Sequence, residues 1–416
     1  MKALGPIPAG FAAIDGELAI AGHKASALVA SAGATPLFVY DADLVSARIA
    51  ALRVAMPARL GLHYALKANP FAPLLRHIAA LVDGFDIASG GEQVLALAAG
   101  VEPARISFTG PGKRDAEITA AIRAGVTLNL ESAREAEHAL AIADSLGTAP
   151  RLAIRVNPDF DIKGSGMKMG GGAKPFGIDA EHVPALIKRL VSAGCDWQGL
   201  HIYAGSQALD SAAISEVQAQ TLLLAARLAE SADMALPRCN LGGGFGIPYF
   251  PGDTPIELHL IGEALEQRFA ELPVVLAQTR FCIELGRYLV GEAGVYLARI
   301  VERKESHGEV FLVTDGGLHH QLAASGNFGT VVRRNYPSAI ATRYGAPPAE
   351  EASIVGCLCT PLDRLADKGG FPRAEEGDLV AVFCAGAYGA SASPAQFLGH
   401  GPAAEILVCA GVRAGG

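Results

Sequence analysis

The sequence predicts an α/β barrel of the (β/α)8 type followed by an all-β domain. From about residue 60, short apolar or β-branched runs alternate with amphipathic helical stretches, whereas after about residue 290 such runs follow one another without helices. The chain has 416 residues, too many for one ordinary domain, and 50% of them are apolar, which suffices for a large core.

Eight runs are predicted to be parallel strands of the barrel, because each is short, apolar or β-branched, and followed by a helical pattern. These strands are predicted at residues 61–67, 84–89, 105–110, 126–131, 151–157, 199–205, 238–244 and 280–286. The clearest helices are predicted at residues 114–124, 132–146, 180–193 and 215–232. A doubly wound sheet is the alternative for this alternation of strands and helices.

The barrel is preferred because the unusual polar residues and glycines keep one phase along the strands. They fall at the C-terminal ends of their strands, at Lys67, Asp86, Arg155, His201, Gly242–Gly244 and Glu284. In a (β/α)8 barrel these ends share one face, where active sites are built. Scattered structural residues would have no reason to keep that phase.

The second domain is predicted from a series of strand patterns with no helices between them. These patterns lie at residues 294–305, 308–317, 352–360, 377–388 and 404–411. A further strand pattern at 16–22 is predicted to join this domain. The expected boundaries are residues 1–35 for the joining segment, 36–288 for the barrel and 289–416 for a C-terminal β-barrel or β-sandwich domain.

Composition argues against several classes of partner. The net charge is −8 and no cluster of Lys and Arg is present, which disfavours nucleic acid. The N-terminus has no apolar signal-peptide core, and the most apolar late run is too short to span a bilayer, so no membrane partner is expected. The seven cysteines are scattered, odd in number and without zinc-type pairs, which favours a reducing cytoplasm and predicts no metal.

Lys67 is the first candidate for chemistry, because it stands alone in the nearly chargeless run His63–Phe71. On position alone, a solvated lysine at a strand end is as good an explanation as a functional one. The functional alternative is a lysine desolvated at the barrel mouth. Desolvation favours the neutral amine, which can attack an aldehyde and form a Schiff base.

Two further stretches fit the same chemistry. The glycine-rich loop 242–246 follows a strand, and its backbone N–H groups could approach a phosphate, although a tight turn also needs glycine. Glu284 could keep a ring nitrogen protonated while Arg287 grips an anion, or the two could form a surface pair. A Schiff-base lysine, a phosphate loop and a carboxylate partner for a pyridinium ring together describe pyridoxal phosphate binding.

Several motifs in order resemble the fold III pyridoxal phosphate-dependent decarboxylases, which include diaminopimelate and ornithine decarboxylases. The similar segments are YALKAN (64–69), GFDIASGGE (84–92), HIYAGSQ (201–207), GGGFG (242–246), ELGR (284–287), GCLCTPLD (356–363) and GAYG (386–389). The resemblance covers essentially the whole chain. It implies an alanine racemase-like barrel, a β domain and pyridoxal 5'-phosphate as cofactor.

The resemblance implies an amino-acid decarboxylase that releases CO2 from Cα of the substrate while the substrate is joined to the cofactor. It implies two catalytic residues, Lys67 as the Schiff-base lysine and Cys359, which helps to protonate the product. In the family this cysteine comes from the other subunit, so a homodimer with shared active sites is expected. The implied cofactor contacts are Lys67, Asp86, Ser89, His201, Tyr203, Ser206, Gly243, Gly244, Glu284, Gly286, Arg287 and Tyr388. The expected substrate contacts are Arg287, Thr360 and Tyr388, to which Arg333 is added as a candidate anion contact.

The chain departs from the family pattern where the substrate is recognised. Tyr203 stands where most relatives carry a histidine stacked on the cofactor ring, and His201 is as readily a barrel-lining histidine as a catalytic one. Thr360 replaces an acidic residue that engages the distal amino group, so a charge-assisted hydrogen bond worth roughly 1.5–3 kcal/mol is lost. The segment 316–329 stands in place of a substrate-binding R-P-x-x-Y motif.

Two parts of the chain allow more than one interpretation of their role. Adjacent His319 and His320 could suggest a metal, but neighbours in sequence cannot easily share one ion, so a substrate or structural role is predicted. The glycine- and lysine-rich loop 163–177 is either a lid over an anionic substrate or a surface loop. The departures predict a substrate other than diaminopimelate, free or carrier-bound, and the chain most resembles the branch found with exosortase and exopolysaccharide systems.

Two alternatives to a decarboxylase follow from the same resemblance. One is an amino-acid racemase of fold III, but those enzymes usually place arginine near the pyridine nitrogen, so Glu284 speaks against it. The other is a non-catalytic homologue that acts as a regulator. Retention of both Lys67 and Cys359 speaks against the regulator.

Overall fold

The computed structural model of the chain describes residues 1–161, 166–326 and 334–411. Its strands are, in chain order, β1 (Ala12–Ile14), β2 (Glu17–Ile20), β3 (His23–Lys24), β4 (Leu37–Asp41), β5 (Gly61–Ala65), β6 (Gly84–Ile87), β7 (Ile106–Phe108), β8 (Thr127–Leu130), β9 (Arg151–Asn157), β10 (Met167–Lys168), β11 (Ile178–Asp179), β12 (Asp196–Ile202), β13 (Gly205–Ser206), β14 (Arg238–Gly243), β15 (Arg280–Leu285), β16 (Gly294–Ser306), β17 (Glu309–Thr314), β18 (Ser338–Ile340), β19 (Glu350–Val355), β20 (Arg364–Phe371), β21 (Leu379–Val382) and β22 (Ala404–Val408).

The helices are α1 (Ala25–Ala32), α2 (Ala42–Ala55), α3 (Ala72–Ala79), α4 (Gly90–Ala98), α5 (Asp115–Ala124), α6 (Ala133–Leu146), α7 (Val183–Ser192), α8 (Ser211–Ala232), α9 (Leu258–Ala270) and α10 (Arg287–Val290). These elements form two compact units. The barrel unit comprises Ile49–Gly246 and Pro255–Gly286, and the β-rich unit comprises Met1–Arg48, Ile247–Thr254 and Arg287–Gly416.

The barrel unit contains a closed parallel sheet of eight strands, in the order β5, β6, β7, β8, β9, β12, β14, β15 and back to β5. All eight predicted barrel strands are therefore confirmed, and the doubly wound alternative is wrong. Every residue of β6 and of β8 is buried. The polar residues of these two strands, Asp86, Thr127 and Asn129, alternate with apolar ones and are buried as well.

The predicted helices of the barrel unit are also present, with small shifts at their ends. Helix α6 begins after Ser132, whose hydroxyl accepts a hydrogen bond from Glu135 N, and ends at Gly147 in the left-handed conformation. Helix α7 begins later than predicted, at Val183, because Pro184 fits only the first turn of a helix. Helix α8 begins earlier than predicted, because Asp210 caps it.

Strand β16 is the central element of the β-rich unit. It pairs antiparallel with β17, with β21 and with β4, and β4 in turn pairs in parallel with β22. The predicted strand patterns of this domain are confirmed as β16, β17, β19, β21 and β22. Strands β18 and β20 were not predicted, because β18 is very short and β20 carries two glycines and several charges.

One expectation about the N-terminal region needs correction. Residues 36–48 belong to the β-rich unit and not to the barrel, because Leu37–Asp41 pairs with β16 and β22. The strand predicted at 16–22 is present in the β-rich unit as β2, where it pairs with β1 and β3 and not with the large sheet. Leu18 and Ile20 of β2 nevertheless pack into the core of this unit beside Leu37 and Phe383.

No helix among the described residues is long and apolar enough to cross a membrane.

Candidate active site

An open cavity of about 150 Å³ lies at the C-terminal face of the barrel, where active sites of this fold are built. Its lining comes from several strand ends: Ala65, Lys67, Asp86, Ile87, Ala88, Thr109, Gly110, Pro111, Arg155, Met169, Phe176, His201, Tyr203 and Glu284. Five predicted cofactor contacts are thereby brought together: Lys67, Asp86, His201, Tyr203 and Glu284. The lining is made up of barrel residues.

Lys67 projects into this cavity from a single turn of 3-10 helix that follows β5. The hydroxyl of Tyr64 donates a hydrogen bond of 2.9 Å to the carbonyl of Asn69, which anchors the turn. The Lys67 side chain is exposed while Leu66 and Ala68 are buried, and its Nζ lies 5.8 Å from the ring centroid of Tyr203. The run is apolar because the neighbours of Lys67 are buried, and a desolvated Lys67 stays a prediction.

Glu284 is the buried anion of the cavity. One carboxylate oxygen lies 2.8 Å from His201 Nε2 and accepts a hydrogen bond of 2.9 Å from Asn240 Nδ2. Burial alone would raise the pKa of Glu284, but His201, Lys67 and Arg155 outweigh burial and lower it. The carboxylate is therefore ionised near neutral pH, in spite of being only 8% exposed.

A buried ion pair, Arg155–Glu131, lies beside the cavity, which Arg155 lines. Arg155 Nη1 donates to Glu131 at 2.9 Å, and Glu131 also accepts from the N–H groups of Gly110 and Gly177. The ring of Phe176 lies 5.0 Å from the guanidinium carbon of Arg155. Sequence reasoning noted the position of Arg155 without giving it a role and missed Glu131, which follows β8 in the same phase as the other strand-end residues.

Part of the loop 163–177 contributes to the wall, because Met169 and Phe176 line the cavity. The start of this loop, including Lys163, lies outside the described residues. The prediction of a lid is untested and stays a prediction.

The glycine loop 242–246 contains a close backbone approach between β14 and β15. A Cβ on Gly243 would lie 1.8 Å from the carbonyl oxygen of Glu284, so no larger residue fits there. The backbone N–H of Ala208 donates to Gly244 O at 2.9 Å, and Gly246 N donates to Ala208 O at 2.8 Å. These bonds hold the loop beside the segment that carries Ser206, so backbone donors and a hydroxyl lie on neighbouring segments.

The remaining predicted barrel contacts have structural partners. Asp86 lines the cavity with one oxygen 3.2 Å from His63 Nδ1, and its other oxygen has no hydrogen-bond partner within the described part of the chain. The hydroxyl of Ser89 caps α4 by accepting from Glu92 N, and within the described residues Ser89 does not line the cavity. Gly286 packs against the Lys67 turn, where an added Cβ would lie 2.8 Å from that of Ala68.

The other predicted contacts belong to the β-rich unit. Arg287 Nη1 donates a hydrogen bond of 3.0 Å to the hydroxyl of Tyr249, and the ring centroid of Tyr388 lies 4.8 Å from the guanidinium carbon. Burial alone would lower the pKa of Arg287, but Tyr249 and Tyr388 outweigh burial and raise it, so the cation persists. Cys359 is exposed, and the hydroxyl of Thr360 accepts from Leu362 N at 3.3 Å. Arg333 lies outside the described residues.

The cavity fits pyridoxal phosphate by its donor set. It offers an accessible amine and a buried carboxylate that stays ionised. The fold and site define a cofactor-dependent enzyme of the (β/α)8 class with its active site at the C-terminal face of the barrel.

Comparison with known proteins identifies the family. A model of the pyridoxal-dependent decarboxylase, pyridoxal binding domain, matches residues 42–291. The chain is 36% identical over 379 residues to the L-glutamyl-(BtrI acyl-carrier protein) decarboxylase of Niallia circulans. The aligned residues cover 90% of this chain and 88% of that protein. It is 32% identical over 400 residues to the diaminopimelate decarboxylase of Aquifex aeolicus, with 95% and 91% covered. The chain therefore belongs to the pyridoxal-dependent decarboxylase family.

A solved structure agrees with this assignment. The diaminopimelate decarboxylase of Helicobacter pylori complexed with L-lysine matches with a TM-score of 0.79 and 27% identity, covering 90% of this chain and 91% of that chain. The chain with the sequence above is therefore a pyridoxal phosphate-dependent amino-acid decarboxylase, a carboxy-lyase. The racemase and regulator alternatives are not supported. The exosortase and exopolysaccharide branch stays a prediction, and so does the cytoplasmic location.

We expect pyridoxal phosphate to be attached to Lys67 in the purified holoenzyme. Borohydride reduction followed by peptide mass spectrometry should place one pyridoxyl group on the peptide that contains Lys67. The Lys67→Ala variant should lose this label, because no other amine among the described residues lines the cavity. Lys188→Ala, which removes an exposed lysine of α7, is the matched control and should keep it. If Lys67→Ala carried as much pyridoxyl label as the wild type, on another lysine, the assignment of Lys67 would be contradicted.

Proposed function

We propose that the cavity holds pyridoxal phosphate between Lys67 and Glu284, and that this arrangement serves the decarboxylation of an amino acid. The supporting observation is that one cavity at the barrel mouth contains both an accessible amine and a buried carboxylate that stays ionised. In this proposal Lys67 joins the aldehyde, Glu284 faces the ring nitrogen, and Gly243, Gly244 and Ser206 receive the phosphate.

The cofactor supplies an aldehyde that joins an amine and, when its ring nitrogen is protonated, a ring that accepts the electron pair left by departing CO2. Glu284 holds the proton on that nitrogen, since an ionised carboxylate favours the protonated form of a base beside it. His201 and Asn240 fix the carboxylate, and the ring of Tyr203 lies beside Lys67. In this proposal these side chains orient the cofactor or keep its ring nitrogen protonated, and none of them is itself altered by the reaction.

We propose that Cys359 serves the active site of a second subunit as the proton donor to Cα. The exposure of its thiol in the β-rich unit supports this role. Arg287 is the proposed anion contact for a carboxylate or phosphate. Its guanidinium is charged and held by Tyr249, and within the described residues its Nε has no hydrogen-bond partner.

We propose a substrate whose distal end carries no free ammonium group, with a carrier-bound glutamyl group as the leading candidate. Thr360 offers a neutral hydroxyl where the resemblance implies a carboxylate in relatives that act on diamino acids. A similar protein is named for an L-glutamyl group on an acyl-carrier protein. Diaminopimelate is the second candidate, since other similar proteins are diaminopimelate decarboxylases.

The substrate proposal is tested by CO2 release from the purified holoenzyme. The panel comprises diaminopimelate, ornithine, lysine, arginine and glutamate in both enantiomers where available, together with glutamyl loaded on an acyl-carrier protein. We expect release from the glutamyl carrier and little from the diamino acids. Release from diaminopimelate alone would overturn the glutamyl proposal in favour of the second candidate.

The variant Thr360→Asp should move selectivity towards diamino substrates by about 10-fold or more, because it restores a charge-assisted hydrogen bond worth roughly 1.5–3 kcal/mol. The ratio of kcat/KM for diaminopimelate to that for the glutamyl carrier measures this shift. Thr148→Asp is the matched control, because it adds the same charge at an exposed position outside the cavity. An unchanged ratio in Thr360→Asp would remove Thr360 from substrate recognition.

A shared active site predicts complementation between two inactive variants. Lys67→Ala and Cys359→Ala proteins, each inactive alone, should recover about a quarter of wild-type activity after subunit exchange, since half of the dimers are mixed and each has one intact site. Differently tagged subunits report the exchange. Complete exchange without recovered CO2 release would contradict a site shared between chains.

A further inference from the structure

Three side chains that do not line the barrel cavity converge in the β-rich unit. His319 follows β17, Cys357 follows β19 and His400 precedes β22, and one ligand atom from each lies within 4.8 Å of the others. Cys357 Sγ lies 3.9 Å from His400 Nε2, and the ring centroids of His319 and His400 are 4.8 Å apart. The cluster thus joins three segments that are distant in sequence.

His319 is the most informative member of the cluster, because it is fully buried without a partner. Its exposure is 0%, and neither ring nitrogen has a hydrogen-bond partner among the described residues. Leaving a buried polar group unpaired costs about 1–3 kcal/mol. Burial and the neighbouring His320 and His400 lower the pKa of His319 to about 4, so its ring is neutral near neutral pH.

The adjacent His320, unlike His319, has a hydrogen-bond partner at each ring nitrogen within the described part of the chain. Its Nδ1 lies 3.1 Å from the hydroxyl of Tyr296, and its Nε2 lies 2.9 Å from the carbonyl oxygen of Gly401. The sequence objection that adjacent histidines cannot share one ion therefore does not apply. His319 converges with Cys357 and His400, while His320 holds the chain immediately after His400.

A buried carboxylate fixes the two loops that carry His319 and Cys357. Asp363 accepts hydrogen bonds from Leu318 N at 2.7 Å and from Leu358 N at 2.9 Å, which are the residues next to His319 and Cys357. Glycines at 317 and 356 permit this approach, since a Cβ at either would lie within 2.1–2.2 Å of the Asp363 carboxylate. The cluster is thus positioned by its backbone and does not depend on chance contact of flexible side chains.

One thiolate and two imidazoles form a ligand set suited to Zn²⁺. In a tetrahedral site with Zn–S of about 2.3 Å and Zn–N of about 2.0–2.1 Å, neighbouring donors are about 3.5 Å apart. The Cys357–His400 separation of 3.9 Å is already close to this value. The exposed His400 side chain has room for the remaining adjustment, and three protein ligands leave a fourth position for water.

We propose that His319, Cys357 and His400 form a Zn²⁺ site in the β-rich unit. An ion there gives the buried His319 a partner and joins the segments after β17 and β19 to the chain before β22. It also constrains Cys359, which follows Cys357 by two residues. The site is independent of the identity of the amino-acid substrate.

The test is Zn²⁺ binding to chelator-treated holoenzyme, followed by dialysis and metal analysis, with Co²⁺ as the spectroscopic probe. We expect about one Zn²⁺ per chain and, with Co²⁺, a thiolate-to-metal charge-transfer band. Cys357→Ser and His400→Gln should each weaken Zn²⁺ binding by more than about 100-fold, since even outer partners of metal ligands are worth 10–100-fold. Cys195→Ser and His182→Gln are matched controls outside the cluster and should bind as the wild type does.

Two results would overturn the proposal. One is the absence of saturable Zn²⁺ binding by the wild-type holoenzyme. The other is Zn²⁺ binding that is unchanged in Cys357→Ser and His400→Gln, which would place the ion elsewhere. The bound pyridoxal absorbance and the melting temperature of each variant, compared with those of the control variants, establish that a loss of metal is not a loss of fold.

Discussion

The active site depends on one electrostatic constraint, the burial of an ionised Glu284 beside the strand ends of the barrel. A carboxylate taken out of water is costly unless charges and hydrogen bonds offset its desolvation. His201 and Asn240 contact the carboxylate directly, while Lys67 and Arg155 add positive charge from further away. The closed sheet is what holds these four side chains around one anion.

The backbone around Glu284 is held by the same residues that stabilise its carboxylate. Asn240 bonds the carboxylate through its Nδ2 and accepts from Gly242 N through its Oδ1. The glycine loop, which is proposed to receive the phosphate, is therefore tied to Asn240, which also bonds Glu284. Gly243 allows β14 to approach β15 so closely that any side chain there would collide with the backbone of Glu284.

Much of this arrangement could be predicted from sequence because the signals are local. Strand periodicity predicted all eight barrel strands, and the phase of Lys67, Asp86, His201 and Glu284 along those strands predicted a shared face. The pairing of β4 with β16 could not be predicted, because it joins segments about 255 residues apart and depends on tertiary contacts. Periodicity therefore identifies strands but not the sheet that each one joins.

Side-chain exposure was also beyond sequence reasoning. Lys67 lies in an apolar run yet is exposed, because a 3-10 turn buries its neighbours and turns its side chain into the cavity. Glu131 was missed because its partner Arg155 comes from a different strand. Ser89 looked like a cofactor contact, while its observed partner is the first turn of α4.

Two of the departures from the family pattern lie in the β-rich unit, in two loops that Asp363 joins by hydrogen bonds. One loop carries His319, and the other carries Cys357, Cys359 and Thr360. Thr360, which is proposed to recognise the substrate, therefore lies in the same pair of hydrogen-bonded loops as His319 and Cys357 of the proposed Zn²⁺ site. A change of substrate and the gain of a metal site are structurally compatible there, while the barrel keeps the cofactor chemistry of the family.

The most direct test of the account is the protonation state of the cofactor ring nitrogen, measured by nitrogen-15 NMR on holoenzyme reconstituted with ring-labelled pyridoxal phosphate. We expect a protonated nitrogen near neutral pH in the wild type, because Glu284 is ionised there. We expect an unprotonated nitrogen in Glu284→Gln, whose amide cannot hold that proton. The same protonation state in both proteins, with cofactor bound to each, would contradict the central role of Glu284.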